Sequence, residues 1–344
     1  MALHFHKLTV KDIRRETADC VSIAFDIPAE LTNEFLYKAG QNITIKFNAG
    51  EELRRSYSIC SNPADAELRI AVKKVYNGAF STFANSILKK GDVLEVLPPT
   101  GTFVKEMDAS NRKSYVFFAA GSGITPVISI IKNILQQEPF SNVTLVYGNK
   151  NVSSIIFKEG LEALKDKYLQ QFRLYYILSR ERTEADINYG RIDAGKCNQL
   201  ASLIDFQNVD DFFICGPEQM IFSVKDFLEN KGIDKKKIHF ELFTTPTRKH
   251  TQIYKAAKPP TEEGSNITVK LDGRSFNFNL DYNSNNILDA ALAEGADLPF
   301  ACKGGVCCTC KSKLIEGEVE MEVNYGLEPE EVKAGFILTC QSHP

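Results

Sequence analysis

The sequence predicts a multi-domain chain: an antiparallel β-barrel, a doubly wound α/β domain and a small α+β unit of β-grasp type. Three observations carry that expectation. Short alternating apolar runs separated by turn residues fill the first third. Strand-like apolar runs alternate with helical patterns through the middle, and a hairpin, a short helix and a cysteine cluster close the chain. At 344 residues the chain is too long for one ordinary core, and 43% hydrophobic with 25% charged residues is a globular composition.

Residues 1–108 read as the barrel. Val21 to Phe25 and Asn42 to Phe47 alternate, Gly40, Gly50 and Pro63 punctuate, and the barrel closes near Leu97-Pro98-Pro99-Thr100-Gly101. Residues 109–245 read as the α/β domain. Tyr115 to Ala120 is a continuous apolar run suited to a buried parallel strand, and helical patterning follows from Val127 to Gln137. Further strands are expected at Val143 to Tyr147, Phe172 to Leu178, Asp211 to Cys215 and Ile238 to Phe243. Residues 246–264 are polar and contain proline, with little to bury, and read as a linker. Residues 265–344 form the third unit. There Asp272-Gly273 between two alternating runs signals a hairpin, and a helix fits Ile287 to Glu294, ended by Gly295.

The bulk numbers exclude some classes. A net charge of −3 gives no case for nucleic acid, which wants a basic face. No run approaches the eighteen or so apolar residues of a membrane span, so no membrane partner is expected. Nor does the opening Met-Ala-Leu-His-Phe-His-Lys have the charge-then-apolar pattern of a secretory signal, so a cytoplasmic location is expected. Nine cysteines are unusual, and four fall between Cys302 and Cys310. In a reducing compartment that cluster reads as a metal site before it reads as disulfides.

Cys302, Cys307 and Cys310 have the C-x4-C-x2-C spacing of plant-type [2Fe–2S] proteins, and Cys340 follows as a fourth ligand. Gly304 and Gly305 let backbone amides turn towards the cluster sulfurs. A structural zinc site is the competing reading, but zinc favours paired C-x2-C units. Cys308 is one cysteine more than the spacing needs.

In the barrel, Arg55-Ser56-Tyr57-Ser58 offers an aromatic ring to stack on a flavin, a hydroxyl for its edge and a cation for pyrophosphate. The run Val72-Lys73 to Gly78, with Ser81 and Thr82 after it, puts a glycine turn and hydroxyls at a helix start, where phosphate oxygens fit. A plain strand and a plain N-cap are the bland alternatives. In the α/β domain, Gly121-Ser122-Gly123-Ile124-Thr125-Pro126 follows the first buried strand; the glycines allow close approach, Thr125 can cap the helix and Pro126 can open it. The third glycine of the usual dinucleotide fingerprint is missing. An acidic residue is also absent after the second strand, where Tyr147-Gly148-Asn149-Lys150 sits.

Arg-x-Tyr-Ser, Gly-x-x-Ser, Gly-x-Gly-Ile-x-Pro and Cys215-Gly216-Pro217, in that order, resemble the ferredoxin–NADP reductase superfamily. The C-terminal unit resembles a plant-type ferredoxin, and the domain order is similar to reductase components of bacterial multicomponent oxygenases. The resemblance implies FAD at Arg55, Tyr57 and Ser58, with Gly78, Ser81 and Thr82 at its pyrophosphate and Val72 and Lys73 also among the cofactor-binding residues. It implies a nicotinamide dinucleotide at Gly121, Gly123, Thr125 and Pro126, with Cys215 and Gly216 near the nicotinamide ring. For Cys215 the alternative is a buried strand-end cysteine. Ser179-Arg180 resembles a 2′-phosphate pocket, which with the missing acid favours NADPH and leaves NADH possible.

These sites imply an oxidoreductase without nucleophile or general base: NAD(P)H to FAD to [2Fe–2S] to an oxygenase component. Other acceptors of the same electrons are a hydroxylase, a desaturase or a hybrid-cluster protein, and a non-turnover carrier or redox sensor is the alternative of a different class. From Ser265 onwards six Lys and Arg face twelve Asp and Glu. Glu316, Glu318, Glu320 and Glu322, at period two, would share one strand face for a basic partner or simply solvate an edge.

Overall fold

The computed structural model describes residues 4–243, 264–282 and 284–344. The expected linker at 246–264 lies outside the described residues except for Gly264.

Six antiparallel strands make the first unit: β1 (His6–Thr17), β2 (Cys20–Asp26), β3 (Asn42–Asn48), β4 (Glu52–Ser58), β5 (Leu68–Lys73) and β6 (Val93–Thr100), in the order β4-β3-β6-β1-β2-β5. Period-two alternation decides which side chains go inward. Leu8 and Val10 of β1 are buried while the alternating Lys7 and Thr9 face water. Ile23, Ile43, Ile45, Ile70 and Val96 complete that core. Helix α1 (Ala79–Ser86) plugs one end, and the Asn85 amide bonds the Val72 and Ser81 carbonyls.

The second unit is a parallel sheet of β7 (Ser114–Ala120), β8 (Asn142–Asn149), β9 (Phe172–Leu178), β10 (Asp211–Cys215) and β11 (Ile238–Glu241), in the order β11-β10-β7-β8-β9. Alternate residues of β7 feed opposite cores. Tyr115, Phe117 and Ala119 meet α2 (Ile124–Gln137) and α3 (Lys158–Lys167), while Val116 and Phe118 meet α4 (Ala194–Leu200) and α5 (Glu218–Asn230). The strand order reverses between β7 and β10, which leaves a crevice at their carboxyl ends.

In the third unit β12 (Ser265–Leu271) and β13 (Arg274–Leu280) form the expected hairpin, with positive φ at both Asp272 and Gly273 as a type I′ turn requires. Helix α6 (Ile287–Ala293) ends at Gly295, φ +80°. Beyond it, β14 (Lys311–Lys313), β15 (Glu320–Met321), α7 (Pro329–Lys333), β16 (Phe336–Leu338) and β17 (Ser342–His343) pack Met321, Ile337 and Leu338 against the cysteine loop. The period-two acidic stretch is not one strand. Gly317 turns the chain at φ +87° and only Glu320 is in β15, although all four glutamates are exposed. Among the described residues, no helix is long and apolar enough to cross a membrane.

Candidate functional site

A cleft of about 490 Å³ opens where the barrel meets the α/β domain. Strand β4 brings Arg55, Tyr57 and Ser58 to it, β5 brings Lys73, and the turn into α1 brings Gly78 and Ser81. Arg55 is exposed and donates one bond to the Arg54 carbonyl, which leaves its other donors for an anion. Tyr57 packs on Phe80 at 5.4 Å between ring centroids. Burial raises the Tyr57 phenol well above its ordinary range, so it stays neutral. A Cβ on Gly78 would sit 2.3 Å from Ser81 Oγ, which shows why only glycine lets this turn close. The Ser81 hydroxyl accepts from Val75 N and donates to the Gly78 carbonyl, so it braces the turn. Val72 faces the barrel core and Thr82 is exposed on α1; neither lines the cleft.

The crevice of the parallel sheet borders the cleft, and Ser122 and Thr125 line both. Gly121 has φ +54°, and the Tyr147 hydroxyl donates to its carbonyl at 2.9 Å. A Cβ on Gly123 would lie 2.1 Å from the Cys215 carbonyl oxygen, and one on Gly216 would lie 2.7 Å from the Met220 terminal methyl and 3.1 Å from Ala120 N. These glycines let the ends of β7 and β10 nearly touch. Helix α2 starts at Ile124, one position before the expected cap: Gly123 is the cap residue, and Thr125 and Pro126 lie inside the first turn. The Thr125 hydroxyl donates to the Ser122 carbonyl at 3.0 Å. Cys215 is fully buried, and burial holds its thiol well above the usual range. Ser179 and Arg180 lie past the end of β9, away from the cleft lining. Their amides donate to the carbonyls of Asn149 and Lys150, and the Arg180 side chain is exposed.

Two residues at the domain boundary escaped the sequence reading, and one of them, Phe243, lines the cleft. Glu241 ends β11 beside Cys215, and its Oε2 accepts from Ser58 Oγ at 3.1 Å across the domain boundary. Burial pushes its carboxyl up to about 8, against the Ser58 hydrogen bond that lowers it. Phe243, 43% exposed, lines the cleft just beyond it. An acid at the carboxyl end of a parallel strand was the available signal.

Cys302, Cys307, Cys310 and Cys340 converge at one end of the third unit. Cys302 and Cys307 sulfurs are 3.1 Å apart, Gly304 N donates to Cys302 Sγ at 3.3 Å, and Gln341 Nε2 approaches Cys340 Sγ at 3.7 Å. Hydrogen bonds from Cys307 and Cys340 hold Cys302 low, and hydrogen bonding to Cys302 raises both partners. Among the described residues no three His, Cys, Asp or Glu side chains are set around a single-ion position. Four thiols with amide donors pointed at their sulfurs match the donor set of an iron–sulfur cluster. Cys308 is buried beside them. The loop faces the rest of the chain: Thr102 Oγ1 donates to the Gly326 carbonyl at 3.4 Å, and Val306 and Tyr325 pack against the α/β core. The cleft likewise fits a flavin, since a ring-sized slot meets an aromatic face, an unburied arginine and a glycine cradle.

Comparison with known proteins agrees with this geometry. Residues 7–104 match an oxidoreductase FAD-binding domain, 117–226 an oxidoreductase NAD-binding domain and 269–344 a 2Fe-2S iron-sulfur cluster binding domain. The chain is 44% identical over 342 residues to one of the subunits of 1,2-phenylacetyl-CoA epoxidase from Escherichia coli, covering 99% of this chain and 95% of that one. It is 33% identical to the ferredoxin reductase component of a 3-ketosteroid-9-alpha-monooxygenase from Rhodococcus rhodochrous, with 98% and 93% covered. Among solved structures, phthalate dioxygenase reductase has the same fold, with 22% identity, TM-score 0.59 and 98% and 95% of the two chains covered. Three domain types in this order, and full-length relatives that are reductases, leave one assignment: the chain belongs to the NAD(P)H-dependent flavin and [2Fe–2S] reductase family that includes this phenylacetyl-CoA epoxidase component.

Proposed function

We propose that this chain draws electrons from NADPH and delivers them, by way of FAD and its [2Fe–2S] cluster, to the oxygenase component of a phenylacetyl-CoA epoxidase system, in the cytoplasm. The observation that carries the electron path is adjacency. The cleft opens on the crevice of the α/β domain, and the four-thiol loop packs against the same two domains. The relative with 44% identity, and the likeness of the His6 to Thr17 opening and the Lys303 to Cys310 loop to its type of reductase, support the partner. Nine unpaired cysteines suit a reducing compartment.

Bound flavin supplies the conversion between a hydride, which carries two electrons, and a cluster that takes one at a time. The residues of this chain do the rest. Tyr57 gives the ring a stacking face, and Arg55 and Lys73 offset pyrophosphate charge. Gly121 and Gly123 admit the dinucleotide backbone, and Cys215-Gly216 walls the space beside the ring. Glu241, protonated at neutral pH, holds a proton next to Ser58 and keeps a negative charge away from that cleft-lining hydroxyl. Ser179 and Arg180 meet a 2′-phosphate, which gives the preference for NADPH.

Anaerobic titration of the purified protein, first with NADPH and then with NADH, tests the path. Flavin and cluster absorbance should both bleach, and NADPH should act at lower concentration. Arg180→Ala should raise the NADPH requirement about tenfold, the worth of one arginine–phosphate contact, and leave NADH unchanged. Equal potency of the two nucleotides in the unaltered protein would remove the 2′-phosphate role. Electron delivery to a purified phenylacetyl-CoA oxygenase component tests the partner; failure there, with both chromophores bleaching, would point to another oxygenase.

A further inference from the structure

Arginine is almost never buried unless its donors are satisfied. Arg54 is 6% exposed although it stands on β4, an edge strand. Its partners explain the burial. Nε donates to Glu52 on its own strand at 2.8 Å. The other two nitrogens reach across to the third unit: Nη1 donates to the Leu298 carbonyl at 3.2 Å and Nη2 to Asp297 Oδ1 at 3.0 Å. The guanidinium also lies over two rings, with Cζ 4.1 Å from the Phe300 centroid and 5.0 Å from that of Phe5. The fork thus joins the start of the barrel, β4 and the segment 297–300.

That segment runs directly into Cys302, and the residue after Arg54 is Arg55, which lines the cleft. One peptide bond therefore separates the flavin-side wall from a clasp on the chain that leads to the first cluster ligand. The carboxylates themselves are screened by water, since Asp297 and Glu52 side chains are 79% and 48% exposed. What selects arginine is the carbonyl and the ring face together, which a planar fork meets and an ammonium does not.

We infer that Arg54 is a positioning residue for electron transfer, holding segment 297–300, and with it the cluster loop, at a fixed place beside the flavin wall. The inference rests on the electron path proposed above. Thr102, Val306 and Tyr325 also hold the loop, so loss of Arg54 loosens the contact rather than releasing the unit.

The test uses the full-length holoprotein. Unaltered protein, Arg54→Ala, Arg54→Lys and Asp297→Asn are mixed anaerobically with NADPH while flavin and cluster bands are followed separately. Amide exchange of Ala296 to Phe300 is measured on the oxidised proteins. In Arg54→Ala, flavin bleaching should stay within about twofold of the unaltered rate, while cluster bleaching slows about tenfold or more, as misplacement of a reacting centre does. Exchange at 296–300 should rise. Arg54→Lys should restore little of either, and Asp297→Asn, an exposed change whose amide oxygen still accepts from Arg54, should keep the cluster phase within about twofold of the unaltered rate. Cluster bleaching at the unaltered rate in Arg54→Lys overturns the inference, even if Arg54→Ala fails to fold. Equal slowing of both phases overturns it too, because that marks a general structural role. If the unaltered protein bleaches its flavin and never its cluster, the electron path itself falls, and the inference with it.

Discussion

At Glu241 two physical effects compete, and burial outweighs the Ser58 hydrogen bond, leaving the carboxyl at about 8. The native chain therefore keeps a proton that the unfolded chain releases near the ordinary carboxylate value of 4.5. Between those limits the unfolded state binds fewer protons, so stability falls as pH rises and levels off above about 8. Replacing Glu241 with Gln should remove that slope: melting temperatures at pH 6 and pH 9 should differ less in the variant than in the unaltered protein. The nucleotide-driven bleaching of flavin should likewise lose the inflection near pH 8. Identical pH profiles in the two proteins would show that Glu241 is already ionised when folded. Residue types on one strand, such as Arg55, Tyr57 and Ser58, are legible because their spacing is local. Glu241 is not, because the hydroxyl that faces it lies 183 positions earlier in the chain.

Among elements, the cysteine loop shows the clearest division between spacing and surroundings. Cys302, Cys307 and Cys310 satisfy the ligand spacing, and Cys340 approaches from the strand-and-turn segment after α7. Cys308, one position from Cys307, packs into the apolar core of the third unit, and burial pushes its thiol up to about 11. Cys308→Ala should keep the cluster absorbance and iron content and cost about 1 kcal/mol for the lost packing. Cys307→Ala should abolish both signals. Retention of the cluster by Cys307→Ala would exchange the two cysteines' roles. The helix after the first parallel strand carries a smaller lesson. Thr125 and Pro126 have the composition of a cap and a first turn, yet α2 begins at Ile124. The glycine turn Gly121–Gly123 is wound into a short 3₁₀ segment that feeds the helix directly. Its tightness comes from β10, whose Cys215 carbonyl leaves no room for a side chain at Gly123.

Across the whole molecule, charge is divided unevenly. The C-terminal unit carries twice as many acidic as basic residues, while the remainder is slightly basic. Glu316, Glu318, Glu320 and Glu322 are exposed on it, with Ile315 82% exposed beside them. Steering of a basic partner to that surface is screened by salt, with a Debye length of about 10 Å at 0.1 M. Electron delivery to the partner should therefore slow about tenfold between low salt and 0.5 M sodium chloride, while flavin bleaching by nucleotide changes little. A partner rate indifferent to salt would leave the glutamates as a solvated edge. Linear pattern alone carries the three folds, the [2Fe–2S] spacing and the cleft-lining residues of β4. Those features depend on periodicities of two and 3.6 and on ligands a few residues apart, which a linear reading retains. Tertiary structure alone decided how the units meet: Ser58 with Glu241, Gly123 with Cys215, and Arg54 with Leu298, 244 residues away. Such pairs have no period, and burial and hydrogen bonding act on them only once separate segments have been folded into contact.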